Sequence, residues 1–339
     1  MATGAERVKA AFKRTFADYV PAYPILGCFT SKLIGATAKQ YLQDAEIMAK
    51  SQLAAYEMFQ PDIVVMMADL LMEAEALGTT VKFPENDVCQ IDKPFLREEK
   101  GKLSSLTVPD PEKDGRMPLY LEACSQARGL IKDVPVSSTL VGPWAIAASL
   151  RGVDNLIYDT FDDPQYVHEL MRLTTDTARA FGEAVITRKV SLSYSEATVS
   201  CSVISPQIYR DFVKPYHQEL VNHFKEKRAG ITWHVCGFAD PILTDLVETG
   251  ASGLSIDSMT SLEKAMEVGE GKTVIIGNVP TTSFLKASSE QTEGEVKKCF
   301  EAVKGRSGYI LSSGCEVPPN APVDAVKYFM DAARKLGKC

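Results

Sequence analysis

A chain of 339 residues that is 45% hydrophobic and 24% charged has the apolar content of a globular core, which excludes a disordered or coiled-coil protein. Its 37 basic residues face 44 acidic ones, a formal net charge of −7 that speaks against a nucleic-acid partner. No apolar run reaches the roughly 18 residues needed to span a bilayer, so no membrane partner is expected. Met1–Arg7 leads into a polar segment rather than the apolar centre of an export signal. Cys339 is not four residues from the end, where prenylation would need it; Leu336 is. The eight cysteines are therefore expected as reduced thiols in the cytoplasm.

Short β-branched runs recur along the chain, each followed by a helical pattern. Strands are predicted at Tyr23–Phe29, Asp62–Met67, Val136–Val141 and Val190–Tyr194, then at Ile231–Val235, Gly253–Ile256, Thr273–Ile276 and Tyr309–Ser312. Helices are predicted over Thr37–Phe59, Pro164–Val185, Pro206–Lys227, Pro241–Thr249, Ser261–Val268 and Pro322–Leu336. Proline at the start and glycine past the end mark several of their boundaries. Such alternation implies an α/β fold, a (β/α)8 TIM barrel, with residues 1–339 as a single domain. The proline-rich segment 78–118, with its charge run Arg97-Glu-Glu-Lys-Gly-Lys102, interrupts the rhythm between the second and third strands. It reads as a long insertion, either a solvated surface excursion or a cap over the barrel mouth.

Barrel active sites lie at the C-terminal ends of the strands. The fifth strand ends Trp233-His-Val-Cys-Gly237, and residues two apart on a strand share a side, so His234 and Cys236 converge at the rim. The eighth strand ends Ser312-Ser-Gly-Cys315, and the sixth ends at Asp257, at the same level. Imidazole with two thiolates suits tetrahedral zinc, and three protein ligands with an open fourth position suit a catalytic one. His-x-Cys alone is a weak signal, since a core histidine beside a buried cysteine is commoner; the strand-end placement of Cys315 strengthens it.

Together these segments resemble a known family. Trp233-His-Val-Cys-Gly237, Cys315-Glu-Val-Pro-Pro319, Gly277-Asn-Val-Pro280, the stretch Asp69–Gly78 and Ile204–Tyr216 are similar to the zinc-dependent, corrinoid-linked methyltransferases of the uroporphyrinogen decarboxylase superfamily, in particular the methylcobamide:coenzyme M methyltransferases. The resemblance runs from about Phe16 to Leu336. It implies that His234, Cys236 and Cys315 hold Zn2+, with Asp257 as a fourth ligand where the family commonly has Glu. It implies a corrinoid such as methylcobalamin as methyl carrier on a partner corrinoid protein, and a small-molecule methyl acceptor or donor such as coenzyme M. The founding decarboxylases carry an Arg-rich substrate-gripping segment after the first strand. This chain has Leu26-Gly-Cys-Phe-Thr-Ser-Lys-Leu33 there, without arginine, which makes tetrapyrrole decarboxylation a poor reading.

Further candidates follow from position. Glu196, at the end of the fourth strand, is expected to orient substrate or protonate a leaving group, and Asp257 to share catalytic work. Asn278 and Asp69, at the ends of the seventh and second strands, are expected to face the mouth and bind the substrate or corrinoid. Cys28 is a candidate pocket residue. Glu73 and Glu75 are expected to be half solvated, and His168, His217 and His223 to lie on the surface. Demethylation of a methylated substrate onto the corrinoid protein, or transfer to tetrahydrofolate, is the alternative reaction; a non-enzymatic corrinoid- or metal-binding module is a distant third. Oligomeric state is left open.

Overall fold

The computed structural model describes every residue except Ala287. Its central strands are β1 (Ala22–Ile25), β2 (Val64–Met66), β3 (Val136–Ser138, continued by Leu140–Val141), β4 (Leu192–Glu196), β5 (Ile231–Val235), β6 (Gly253–Ile256), β7 (Val274–Val279) and β8 (Tyr309–Glu316). A seven-stranded parallel sheet runs in the order β1, β8, β7, β6, β5, β4 and the Leu140–Val141 continuation, and β2 pairs in parallel with Val136–Ser138. The amide of Ser138 donates to the Ser191 carbonyl at 2.8 Å, which joins that pair to the sheet. The result is a curled, TIM-barrel-like α/β fold.

Each strand expected from the sequence coincides with one of these. The differences lie in the connections. The expected Thr37–Phe59 helix divides at Asp44, whose extended backbone (φ −139°, ψ 120°) stops Ala38–Gln43 and whose carboxylate accepts from the amides of Glu46 and Ile47 to start Ala45–Phe59. The first strand ends early because Gly27–Ile34 coils into a 3-10 turn. Helices Gly4–Phe12, Met117–Leu130, Pro143–Arg151, Val153–Asp162 and Ser289–Val303 had no counterpart in the sequence reading. Within 78–118 the chain forms an antiparallel hairpin (Thr80–Lys82 with Gln90–Lys93) and a 3-10 turn at Lys100–Ser105. No helix among the described residues is long and apolar enough to cross a membrane.

Two apolar cores result. The larger lies between sheet and helices and takes Ile231, Trp233 and Val235 of β5, all essentially buried. The smaller lies inside the curl, where Tyr23, Ile25, Val65, Met67 and Ile276 meet Val8 of the first helix. Between β1 and β2 no strand ladder forms. Instead Asp62 accepts from the Ala22 amide at 2.9 Å, its own amide donates to the Ala22 carbonyl at 2.9 Å, and Arg7 closes on its carboxylate at 3.1 Å.

This seam is the weak join of the ring. Removing a buried carboxylate that satisfies both an amide and a guanidinium costs about 3 kcal/mol. Asp62→Ala is expected to lower unfolding stability by that order in urea titration; a change under about 0.5 kcal/mol, as for an ordinary surface substitution, would show that the seam is held elsewhere.

Candidate metal centre

The two-residue period of β5 sends Thr232 and His234 inward while Trp233 packs outward, and Cys236 follows on the inner side just past the strand. β8 delivers Cys315 to the same place. His234 Nε2 lies 3.1 Å from Cys236 Sγ, and Cys236 Sγ lies 3.4 Å from Cys315 Sγ. All three ligand atoms fall within 4.8 Å of one another. On the far side of the ring, His234 Nδ1 meets Ser255 Oγ at 2.9 Å. With Nδ1–H donating there, Nε2 keeps its lone pair for a metal, the usual way a neighbouring group orients a ligating imidazole.

Two thiolates this close cannot both ionise without a cation between them. Cys315 is pushed down to about 4, chiefly by the Cys236 thiol donating to it with help from His234, and Cys236 is held well above the usual thiol range. The pair thus shares one proton, which a metal would displace. Tetrahedral zinc, with bonds of about 2.0–2.1 Å to nitrogen and about 2.3 Å to sulfur, needs N···S near roughly 3.5 Å and S···S near roughly 3.8 Å. The His234–Cys236 and Cys236–Cys315 separations fit such an ion with shifts of a few tenths of an ångström.

Glu316, beside Cys315, was not singled out by the sequence reading. It lines the same cavity, and burial followed by the Cys315 charge pushes its carboxyl up to about 8. Its Oε1 accepts from the Cys28 amide at 3.2 Å. Gly27 (φ +38°) permits this approach, because a Cβ there would lie 1.9 Å from that oxygen. Ser255 was also missed: its relevance depends on the register that sets it opposite His234, which no local motif reveals.

The other expected site residues lie apart from the three ligands. Asp257 does not join them; its Oδ1 accepts from the Met259 amide at 2.9 Å and the Ser258 hydroxyl at 3.2 Å, closing the turn after β6. Asn278 donates to the carbonyls of Asp257 and Thr260 at 3.0 and 2.9 Å, so it staples the β6 and β7 loops. Asp69 is buried against Arg116 at 2.7 Å and accepts from the Leu71 amide. Cys28 is buried with its thiol toward the Ala68 carbonyl.

Glu196 is fully buried and faces the helix layer. Its two oxygens accept from the amides of Trp144 and Ala145, the exposed donors at the start of helix Pro143–Arg151, at 3.2 and 2.9 Å. Gly142 makes room for it, since a Cβ there would lie 2.3 Å from the carboxyl carbon. His217 Nε2 donates to Glu196 at 2.8 Å, Tyr209 reaches His217 Nδ1 at 3.2 Å, and the His217 ring stacks on Trp233. His217 is therefore no surface residue: the polar sequence around it hid a fully buried ring. Glu73 is likewise fully buried rather than half solvated; one oxygen accepts from the Val141 amide at 2.8 Å and the other has no partner. Glu75 sits nearer solvent and pairs with Arg116.

The three ligands stand at one end of a cavity of about 460 Å³ that runs down the inside of the curl to Val8 and Phe12. This is the size range of small-molecule sites, roughly 300–1,000 Å³.

Comparison with known proteins places this geometry in context. The uroporphyrinogen decarboxylase (URO-D) family profile matches residues 3–336. The methylcobamide:CoM methyltransferase MtbA of Methanosarcina acetivorans is 25% identical over 98% of this chain and 98% of its own. The methylated-thiol–coenzyme M methyltransferase of Methanosarcina mazei is 24% identical over 98% of this chain and 89% of its own. A uroporphyrinogen decarboxylase of Pseudoalteromonas atlantica is 24% identical over 86% of this chain and 84% of its own. A solved methyltransferase structure from Methanosarcina mazei superposes with a TM-score of 0.89 at 24% identity, covering 99% of each chain, which shows the shared fold.

Two outcomes are expected. Purified protein should hold about one zinc per chain by elemental analysis, and Cys236→Ala or Cys315→Ala should lose it while Glu196→Gln keeps it. Retention by both cysteine variants would remove the metal centre. Separately, Glu73 should make stability depend on pH. Its carboxyl is pushed by burial from 4.5 to about 8, so folding holds its proton most securely below pH 4.5 and loses that contribution as pH rises toward 8. Glu73→Gln should gain on the wild type across that window by about 1.4 kcal/mol per pH unit. A difference that stays constant in denaturant titrations from pH 4 to 9 would contradict this.

Proposed function

The chain belongs to the uroporphyrinogen decarboxylase (URO-D) family, and from that membership we propose a zinc-dependent methyltransferase that moves a methyl group between a corrinoid and a thiol, as coenzyme M exemplifies among its relatives. The observation that carries the reading is the convergence of His234, Cys236 and Cys315 on one point at the head of a cavity. Zinc held there supplies a lowered thiol pKa, so that a sulfur nucleophile exists at neutral pH.

This chain's residues account for the rest. Two thiolate ligands keep the centre's charge low and the substrate sulfur electron-rich, which three imidazoles would not do. Ser255 holds the His234 ring in ligating orientation. Sulfur gains the methyl group and cobalt keeps the bonding electron pair, so no general base is needed once the thiol proton has left. Asp257 stays in this reading as an acid at the rim, held by its own turn, rather than as a ligand. Glu196, Asn278 and Asp69 are positioning residues, each tied into the loops or helix that frame the mouth.

A decarboxylase for a polycarboxylate tetrapyrrole would need cations to grip its substrate. Among the described residues no lysine or arginine lines the cavity. Because a corrin ring is far too large for this interior, the methyl carrier approaches from outside, on a separate corrinoid protein. Residues 1–339 act in this reading as one closed eight-stranded barrel, and segment 78–118 contributes to the docking surface. All eight cysteines are free, as a reducing cytoplasm would keep them.

Zinc-loaded protein mixed with methylcobalamin and a panel of thiols is expected to form methyl thioether and cob(I)alamin, followed by absorbance and product analysis. Cys315→Ala should reduce the rate at least ~100-fold. No transfer to any thiol by the zinc-loaded wild type would overturn the proposal.

A further inference from the structure

The interior below the three ligands has two unlike walls. On β1, β2 and β7 it is apolar: Tyr23, Ile25, Val65, Met67 and Ile276. On β3 to β5 it carries hydroxyls, from Thr139, Ser193, Ser195 and Thr232, none of which finds a hydrogen-bond partner in the protein among the described residues. Thr139 is 6% exposed and Ser195 only 2%, while Ser193 and Thr232 are half-buried, so these hydroxyls border the cavity rather than a packed core. A well-packed barrel would fill this volume with branched side chains. Here register stacks Ser193 beside Thr232 in one layer and Ser195 beside His234 in the layer above, and small residues in both leave the space open. Among the described residues Glu316 is the one acidic side chain on the lining, and no lysine or arginine lines it.

Displacement chemistry decides which molecule uses this space. A sulfur takes a methyl group from the side opposite cobalt, in line with the breaking bond. The corrin covers the mouth, so the organic group on the reacting sulfur must extend away from it, into the interior. Resting on the thiol reading above, we propose that this interior is the specificity pocket for the thiol's organic group, and that it selects an uncharged group bearing a hydroxyl or amide. Hydroxyls on the lining that have no protein partner can bond such a ligand, and the opposite wall takes its carbon chain. A sulfonate or carboxylate placed there would be desolvated with no lysine or arginine among the described lining residues to pair with it. Coenzyme M, a sulfonate, is then a poor partner for this chain.

The test is binding of small thiols to the metal-loaded protein, read by calorimetry and by the thiolate-to-cobalt absorption of the Co2+-substituted form. 2-Mercaptoethanol and 1-thioglycerol are expected to bind at least ~30-fold more tightly than 2-mercaptoethanesulfonate and 3-mercaptopropionate, a difference of about 2 kcal/mol. Ser193→Leu, which fills the hydroxyl side, should abolish the neutral thiols' advantage while keeping the metal. Met67→Lys should reverse the preference by at least ~10-fold. Thermal unfolding of both variants checks that they fold, and the wild-type comparison stands without them. Anionic thiols binding as well as neutral ones would overturn this inference and leave the methyltransferase reading in place. No thiol perturbing the cobalt spectrum would overturn both.

Discussion

The centre depends on the alternation of side chains along β5. One residue of slippage would turn His234 into the helix layer and Trp233 into the interior, and the imidazole would be lost. What prevents slippage is packing: Ile231, Trp233 and Val235 are buried against the helices, so the apolar period pins the polar one. The same strand therefore carries a hydrophobic argument on one face and a ligand argument on the other. Cys315 needs a second strand in register with the first through β6 and β7, and the continuous parallel ladder provides it.

Charge burial divides the acids of this fold into two kinds. Asp62, Glu196 and Asp69 hold loose ends together: a missing strand ladder, a helix start, and an arginine near the end of segment 78–118. Each carboxylate receives amide or guanidinium hydrogens, which offset its desolvation. Among the described residues the sulfurs of Cys236 and Cys315 have each other, His234 and, for Cys315, the Glu316 amide, but no guanidinium or ammonium. That deficit of positive charge sets this group apart from the carboxylate clusters and suits it to a cation.

An unfilled interior is the other departure from economical packing. Small hydroxyl residues on β3 to β5 leave volume that leucine or valine would occupy, and stability is lost there relative to a filled core. Among the described residues the apolar packing inside the ring lies on β1, β2, β7 and β8, where Val8 of the first helix completes it from below. Space of this kind, next to reactive sulfurs, fits a ligand's requirements better than a core's.

Sequence alone was sufficient for the strands and for grouping His234, Cys236 and Cys315. Strand runs are local patterns, and His234 with Cys236 is a period-two signal that needs only the assumption of a strand. Several roles were illegible because they depend on contacts between segments distant in the chain. Glu196 looked catalytic at a strand end, yet the helix start at Trp144 and Ala145 claims it, 52 and 51 residues earlier. His217 looked exposed because its helix neighbours are polar, while the groups that bury it, Trp233 and Glu196, come from two strands. Asp257 was at the right height for a ligand, but the direction of its carboxylate follows from its own turn. The chain by itself thus determined an α/β succession and the meeting of one imidazole and two thiols at the strand ends. Tertiary structure alone decided which acids are structural, which face of each strand is open and how large the interior is, because these follow from packing and register between residues that no local pattern connects.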